Sequence, residues 1–194
     1  MIGSILPHQF YNRSTIDVAK DLLGKVIKHG VTSGIIVETE AYLGLDDLAA
    51  HSARGLTPRT RVIFGPPGHA YVYLIYGIYE CLNLVAEPEG TPGCILIRAI
   101  EPCTGIEIMR TRRTAARKLQ DVASGPGKLT QALGISRACN GADVTKGPIT
   151  VHETVRPEPI EVVTTPRIGI RQCADWPLRF YIAGNIFVSA LKSN

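Results

Sequence analysis

Two glutamates spaced two apart, Glu38 and Glu40, stand in the apolar run GIIVETEAYL of residues 34–43, and Tyr42 follows at the same spacing. A period of two sets these three side chains on one face of a strand, where a carboxylate is placed to take a proton from water. By periodicity alone the plainer account is a pair of solvated carboxylates on the outer face of an edge strand. Arg98 shifts that balance, because it is embedded among Ile95, Leu96, Ile97 and Ile100. A guanidinium inside an apolar strand is costly to bury unless a carboxylate meets it, so Glu40 or Glu38 is implied as its partner. Such a pair is either purely structural or holds a carboxylate ionised to orient a water.

The tyrosines form a second group. Of seven in the chain, Tyr71, Tyr73, Tyr76 and Tyr79 fall within nine residues, against four Phe and one Trp overall. Single tyrosines are ordinary core residues, but several beside Arg-rich loops suggest a stacking surface for bases, and one at a hairpin tip can act as a wedge between base steps. Arg54, Arg59 and Arg61 lie in one loop, and Arg110, Arg112, Arg113, Arg117 and Lys118 form a second cluster in a chain of net charge +4. Two such clusters fit a polyanion as partner, though a solvated helix face explains any one of them.

Other chemistries find less support. There is no GxSxG, Walker A, GxGxxG after a strand, or HExxH. The run Ser124-Gly125-Pro126-Gly127-Lys128 resembles a phosphate-binding loop only loosely, and a plain turn opening a helix accounts for it. Five cysteines without CxxC spacing, and His51 and His69 without ligand-spaced partners, predict reduced thiols and no metal site.

The elements that must position these groups read as follows. Ser14 and Asp17 resemble a capping box, followed by a helical stripe that stops at Gly24. A strand covers 34–43, and an irregular stretch covers 44–69. The aromatic run 71–86 reads as a β-hairpin turning at Tyr76-Gly77, with helix as the alternative. Further strands are predicted at 93–102, 149–155, 160–165, 178–183 and 185–191, a basic helix at 105–118, and a short helix ending at Gly134. Strands and helices do not alternate regularly, which predicts an α+β class with a mainly antiparallel sheet and peripheral helices. The length of 194 residues fits a single domain, 1–194. The first ten residues lack a basic n-region and a long apolar core, and the longest apolar run holds Glu80 and Asn83, so a cytoplasmic protein with no membrane partner is expected.

The strings VETEAYLG (37–44), AAHSARG (49–55), TPRTR (57–61), YVYLIYGIYECLN (71–83), LIRAIEP (96–102), SGPGKL (124–129) and PLRFYIAG (177–184) together resemble the alkyladenine (3-methyladenine) DNA glycosylase family. The motifs keep the family's order from about residue 14 to the end. The resemblance implies one domain with a curved antiparallel sheet, like the C-terminal domain of formyltransferases, and a protruding β-hairpin that enters the DNA minor groove. It implies Glu40 as the general base that activates water, with Arg98 and the backbone carbonyl of Ile168 holding that water. Tyr42, His51 and Tyr73 match the walls of the pocket for the extruded base, Asn83 the residue that crowds the amine of normal guanine, and Tyr76 the wedge. Arg54, Arg59, Arg61 and Lys128 are candidates for the DNA backbone. No cofactor is implied, and the expected partner is double-stranded DNA containing damaged purines, met by a monomer. The stretches Ile63 to Pro67 and Arg171 to Pro177 look divergent.

The implied reaction is hydrolysis of the N-glycosidic bond of 3-methyladenine, 7-methylguanine, hypoxanthine or ethenoadenine, leaving an abasic site in base excision repair. Cationic purines are expected to stack well between electron-rich tyrosines. Two rivals remain: a glycosylase-lyase, for which Lys128 is the one lysine beside a motif, and a catalytically silent nucleic-acid-binding module, which needs neither Glu40 nor Arg98.

Overall fold

In the computed structural model, which describes residues 2–154 and 159–189, the run carrying both glutamates is the strand on which the rest of the sheet is assembled. The strands are β1 (Ile2–Ile5), β2 (Val26–His29), β3 (Thr32–Tyr42), β4 (Ala70–Ile75), β5 (Tyr79–Val85), β6 (Cys94–Thr104), β7 (Ile149–Thr154), β8 (Val162–Thr165) and β9 (Arg179–Ile182). Short helices α1 (His8–Tyr11), α2 (Thr15–Asp21), α3 (Ile106–Arg112), α4 (Gln120–Ala123) and α5 (Pro126–Leu133) lie between them. One open sheet runs β1-β7-β2-β3-β6-β5-β4, with β9 joining β3 and β8 joining β9. Every ladder is antiparallel, so the α+β expectation holds.

Far from an edge, β3 has three partners. The antiparallel β6 pairs along Ser33 to Tyr42, while β2 takes Thr32 to Ile35 and β9 takes Glu38 to Glu40. Both faces are covered, and every residue from Thr32 to Ala41 is buried. The period-of-two reading of this strand needs one correction. Register shifts flank Glu38 in the β3–β6 ladder, where Glu38 faces Ala99 but Thr39 faces Ile97. An irregularity of this kind reverses the in-out parity of the strand. Ile36 and Ala41 therefore share the main core with α2 and α5, whereas Ile35 and Val37 pack with Phe187 in a separate cluster. Thr39 follows the α2 side, donating to the Ala19 carbonyl at 2.8 Å.

Helix α2 starts where expected, but Ser14 makes no side-chain cap. Glu87, distant in sequence, substitutes for it: its Oε1 accepts from the Thr15 N–H at 2.6 Å and the Thr15 hydroxyl at 2.8 Å. A carboxylate at a helix N-terminus satisfies an orphan donor and complements the dipole. The basic helix predicted over 105–118 is shorter, ending at Arg112, and two of its arginines serve other helix ends. Arg112 donates to the Ala132 carbonyl near the end of α5, and Arg113 to the Val122 carbonyl near the end of α4. Two of the five residues of the second basic cluster are thus engaged by the fold, while Arg110, Arg117 and Lys118 stay exposed. Residues 185–189 are turns rather than the start of a strand, and 190–191 lie outside the described residues, as does 155 at the end of the predicted 149–155 strand. Strands β1 and β2 were not expected; both are four residues long, too short for a periodic signal.

The β4–β5 hairpin turns through Tyr76 and Gly77, both at positive φ (52° and 72°). Glycine takes this conformation freely, but a tyrosine there is strained. Among the described residues no helix is long and apolar enough to cross a membrane, and no group of three or more His, Cys, Asp or Glu is placed to hold a metal.

Candidate active site

The two glutamates are wholly buried, and their surroundings separate them. Glu38 Oε1 accepts from Arg98 Nε at 3.0 Å, Arg179 Nε at 2.7 Å and the Ser189 hydroxyl at 2.8 Å, while Oε2 takes the Ser189 N–H at 2.8 Å. A carboxylate offers about four acceptor positions. Glu38 makes four contacts, three of them on Oε1. Glu40 Oε1 accepts the Ile168 N–H at 2.7 Å and faces Arg98 Nη1 at 3.2 Å; Oε2 takes the Tyr42 hydroxyl at 2.9 Å. Among the described residues Glu40 makes three such contacts, one of them on Oε2. Two carboxylates meet two guanidiniums, so the buried network is electrically balanced. Burial acts to lower the pKa of Arg98, but Glu40 and then Glu38 outweigh it and raise it, so the guanidinium stays charged. Burial, then the Glu40 carboxylate, push the Tyr42 hydroxyl well above the usual phenol range, so it remains a donor to Glu40.

Arg98 and Ile168 open onto a cleft of about 450 Å³, lined also by Tyr73, Tyr76, Tyr79, Arg113 and Lys128. Gly127 packs closely in its wall, where a Cβ would lie 3.0 Å from the Tyr79 side chain. Beside the cleft, and sharing Tyr73 with it, Tyr42, Ala49, His51, Tyr71, Asn83 and Cys94 enclose a void of about 20 Å³. That space holds about one water. The rings around it already touch: His51 and Tyr73 have centroids 4.6 Å apart, and His51 Nδ1 is 2.9 Å from the Tyr71 hydroxyl. Burial, followed by Arg59 and Arg54, pulls the His51 pKa down to about 4, which keeps the imidazole neutral near pH 7. Asn83 is buried and donates to the Tyr71 carbonyl at 3.2 Å. The three residues expected to wall a base pocket, and Asn83, are thus brought together.

Sequence reasoning missed a buried pair behind Tyr42. Arg167 Nη1 and Nη2 meet Asp47 Oδ2 and Oδ1 at 2.5 and 2.8 Å, and Nη1 also donates to the Ala41 carbonyl at 3.0 Å. Its guanidinium carbon lies 4.6 Å from the centre of the Tyr42 ring. Asp47 also accepts the N–H groups of Leu43 and Ala49, and so fixes the start of the long loop that carries His51. The one available signal was position, since Arg167 directly precedes Ile168. Arg179 was likewise passed over within PLRFYIAG.

Tyr76 is 81% exposed at the hairpin tip, apart from the buried network. Arg54, Arg59 and Arg61 are exposed on the loop, and Lys128 is half-buried in the cleft wall. The Arg59 guanidinium lies 5.5 Å from the centre of the Tyr73 ring.

The chain matches the family model described as methylpurine-DNA glycosylase (MPG) over residues 9–186. It is 50% identical over 190 residues to a protein of Methanoculleus marisnigri, covering 95% of this chain and 98% of that one. A Methanocella arvoryzae protein is 51% identical over 185 residues, with coverages of 91% and 92%, and one from Rhodopseudomonas palustris is 48% identical over 189, with 97% and 89%. Each bears the name "Putative 3-methyladenine DNA glycosylase". Matched over nearly its whole length, the chain belongs to the methylpurine-DNA glycosylase family of DNA-repair proteins.

Proposed function

We propose that the protein is a monofunctional DNA glycosylase that flips alkylated or deaminated purines out of duplex DNA and hydrolyses their N-glycosidic bond, leaving an abasic site. The observation that carries this reading is Glu40: a fully buried carboxylate, balanced by Arg98, with a single contact on Oε2 among the described residues, whose partners Arg98 and Ile168 line a cleft. A DNA-binding module without chemistry has no use for that arrangement.

In this reading the hairpin enters the minor groove and Tyr76 fills the stack that the extruded nucleotide vacates. Flipping costs a few kcal/mol, least for poorly paired lesions, and a wedge offsets part of it. The purine enters between Tyr42, His51 and Tyr73, whose close contact must part to admit it. Asn83 crowds the exocyclic amine of normal guanine. As the bond to the base lengthens, the sugar gains oxocarbenium character that Glu40 stabilises. Glu40 takes a proton from the water that attacks C1′, and Arg98 and the Ile168 backbone hold the water and carboxylate in line. The Ile168 N–H already fixes Glu40 Oε1, a contact additional to the expected carbonyl. Arg54, Arg59, Arg61 and Lys128 supply phosphate contacts to double-stranded DNA, which a monomer engages without cofactor. The candidate substrates are 3-methyladenine, 7-methylguanine, hypoxanthine and ethenoadenine.

The test is an abasic-site assay on duplexes carrying one such lesion, with strand cleavage only after added alkali. Tight lesion binding without abasic sites would leave the silent binding module. Spontaneous strand nicking would leave the lyase.

A further inference from the structure

The half of the β4–β5 hairpin that carries Tyr76 stands beyond the sheet. No strand among the described residues pairs with the outer edge of β4, and β5 pairs with β6 only from Asn83 to Val85. Past the Tyr71–Asn83 rung, the two strands continue as a ribbon to the Ile75–Tyr79 rung. At about 3.3 Å per residue, the Leu74–Glu80 rung lies about 10 Å beyond Tyr71 and Tyr76 about 17 Å beyond it. A two-stranded ribbon is marginally stable alone, so its pitch depends on what it rests against.

Near the base, Asn140 Oδ1 accepts the Val72 N–H at 2.9 Å. Further out the supports converge on Glu80. The Thr130 hydroxyl lies 2.9 Å from the Glu80 carbonyl, but it also lies 3.0 Å from the Gly127 carbonyl and has one proton to give. Arg137, at the head of the turn Arg137–Cys139, donates from Nε to Glu80 Oε1 at 3.1 Å. The Glu80 side chain is 18% exposed, and among the described residues its Oε2 has no partner. A carboxylate so far buried depends on its counter-charge more than an exposed one does. A displacement at Glu80, pivoting on the last rung with β6, arrives at Tyr76 about 1.7 times as large.

We propose that the Glu80–Arg137 ion pair is a strut that sets the height at which Tyr76 meets the duplex. Glu80 and Arg137 are positioning residues: they act on base extrusion through the hairpin and leave bond hydrolysis alone. The inference rests on the reading of Tyr76 as a wedge and adds the element that aims it.

The experiment compares single-turnover release of hypoxanthine from a duplex and from the same strand alone. Arg137→Gln and Glu80→Ala should each slow duplex excision about three- to tenfold and leave single-strand excision within about twofold. The double variant should be no slower than the slower single one, and Arg137→Lys, which keeps the counter-charge, should stay within about twofold of wild type. In a Tyr76→Ala background, where no wedge remains to be aimed, Arg137→Gln should cost less than about twofold. Arg137 is 62% exposed, so its variants fold even if Glu80→Ala melts early. The rival role for Arg137 is a phosphate contact, and it has the opposite sign at Glu80. Freeing the guanidinium by Glu80→Ala would then hold or raise duplex excision, and Arg137→Gln would flatten the log–log salt dependence of duplex binding by about one unit. That pattern overturns the strut, as do equal losses on duplex and single strand, losses that add to that of Tyr76→Ala, or no loss in the folded variants. If Tyr76→Ala itself loses equally on both substrates, the wedge reading fails and takes this inference with it. If the wild type releases no hypoxanthine from either, the glycosylase reading falls instead.

Discussion

Replacing each glutamate by glutamine separates chemistry from architecture. In Glu40→Gln the amide keeps an oxygen for the Ile168 N–H and Arg98, and the Tyr42 hydroxyl can turn to accept from the new amide nitrogen. Arg98 retains Glu38 at 3.0 Å, so the guanidinium is not abandoned. The stability loss should be about 1–3 kcal/mol, a melting shift of roughly 2–12 °C for a chain of this size. Excision should fall much further, by ~10²–10⁴-fold, because an amide neither takes the proton nor faces the sugar with a full charge. Glu38→Gln is the reverse case. It removes the charge that Arg98 and Arg179 share and turns one acceptor into a donor facing other donors. Breaking such a buried network costs about 3–5 kcal/mol, and the melting temperature should drop by roughly 6–20 °C. Whatever Glu38→Gln protein folds at low temperature should excise far better than Glu40→Gln. Single-turnover excision, lesion-duplex affinity and melts on the same preparations decide it. Folded Glu40→Gln working within about tenfold of wild type would refute the assignment of the base. Equal losses of excision in two well-folded variants would refute the division of labour.

Tyr76→Ala should leave the melting temperature unchanged, since the side chain is 81% exposed, yet weaken lesion-duplex binding and slow excision from duplex more than from single strands; equal losses on both substrates would make Tyr76 a packing residue. Asn83→Ser should raise release of undamaged guanine modestly, by the ~1–3 kcal/mol that excluding a small group is worth, with some loss of stability from the broken bond to the Tyr71 carbonyl; unchanged guanine release would place Asn83 outside base selection. The His51 imidazole should stay neutral down to about pH 4 by NMR titration. Its folded pKa lies below the unfolded 6.5, so its contribution to stability is full above pH 6.5 and is lost as pH falls through 4; a midpoint at 6 or higher would contradict the burial argument. Borohydride added during turnover should trap no covalent enzyme–DNA adduct, and an adduct that vanishes in Lys128→Ala would establish lyase chemistry.

The parts of the fold legible in the sequence were those whose signal is local. The hairpin announced itself through aromatic and β-branched density with a glycine at the turn, and α5 through its Pro start and Gly stop. The need of Arg98 for a carboxylate was equally readable, because a guanidinium among isoleucines has few physical solutions. Which carboxylate it takes was not readable: Arg98 bonds both, and only the three-dimensional placement of Arg179 and Ser189 around Glu38, and of Ile168 and Tyr42 around Glu40, tells the two apart. The register shift around Glu38 was hidden for a similar reason, since both faces of β3 are buried and an apolar residue suits either. Glu87 capping α2 and Asp47 pairing with Arg167 span 72 and 120 residues, and no spacing rule reaches that far.

Because β3 is held by β6 on one edge and by β2 and β9 end to end on the other, its amides can open only when several ladders part together. Hydrogen exchange there should approach the rate of global unfolding, whereas the tip of β4–β5, with Tyr76 and Ile78 exposed beyond the last pair, should exchange through local fraying. The groups proposed for proton transfer thus occupy the slowest-opening part of the protein and the proposed wedge one of the fastest. The hairpin can yield to variation in groove width without disturbing the Glu40 carboxylate.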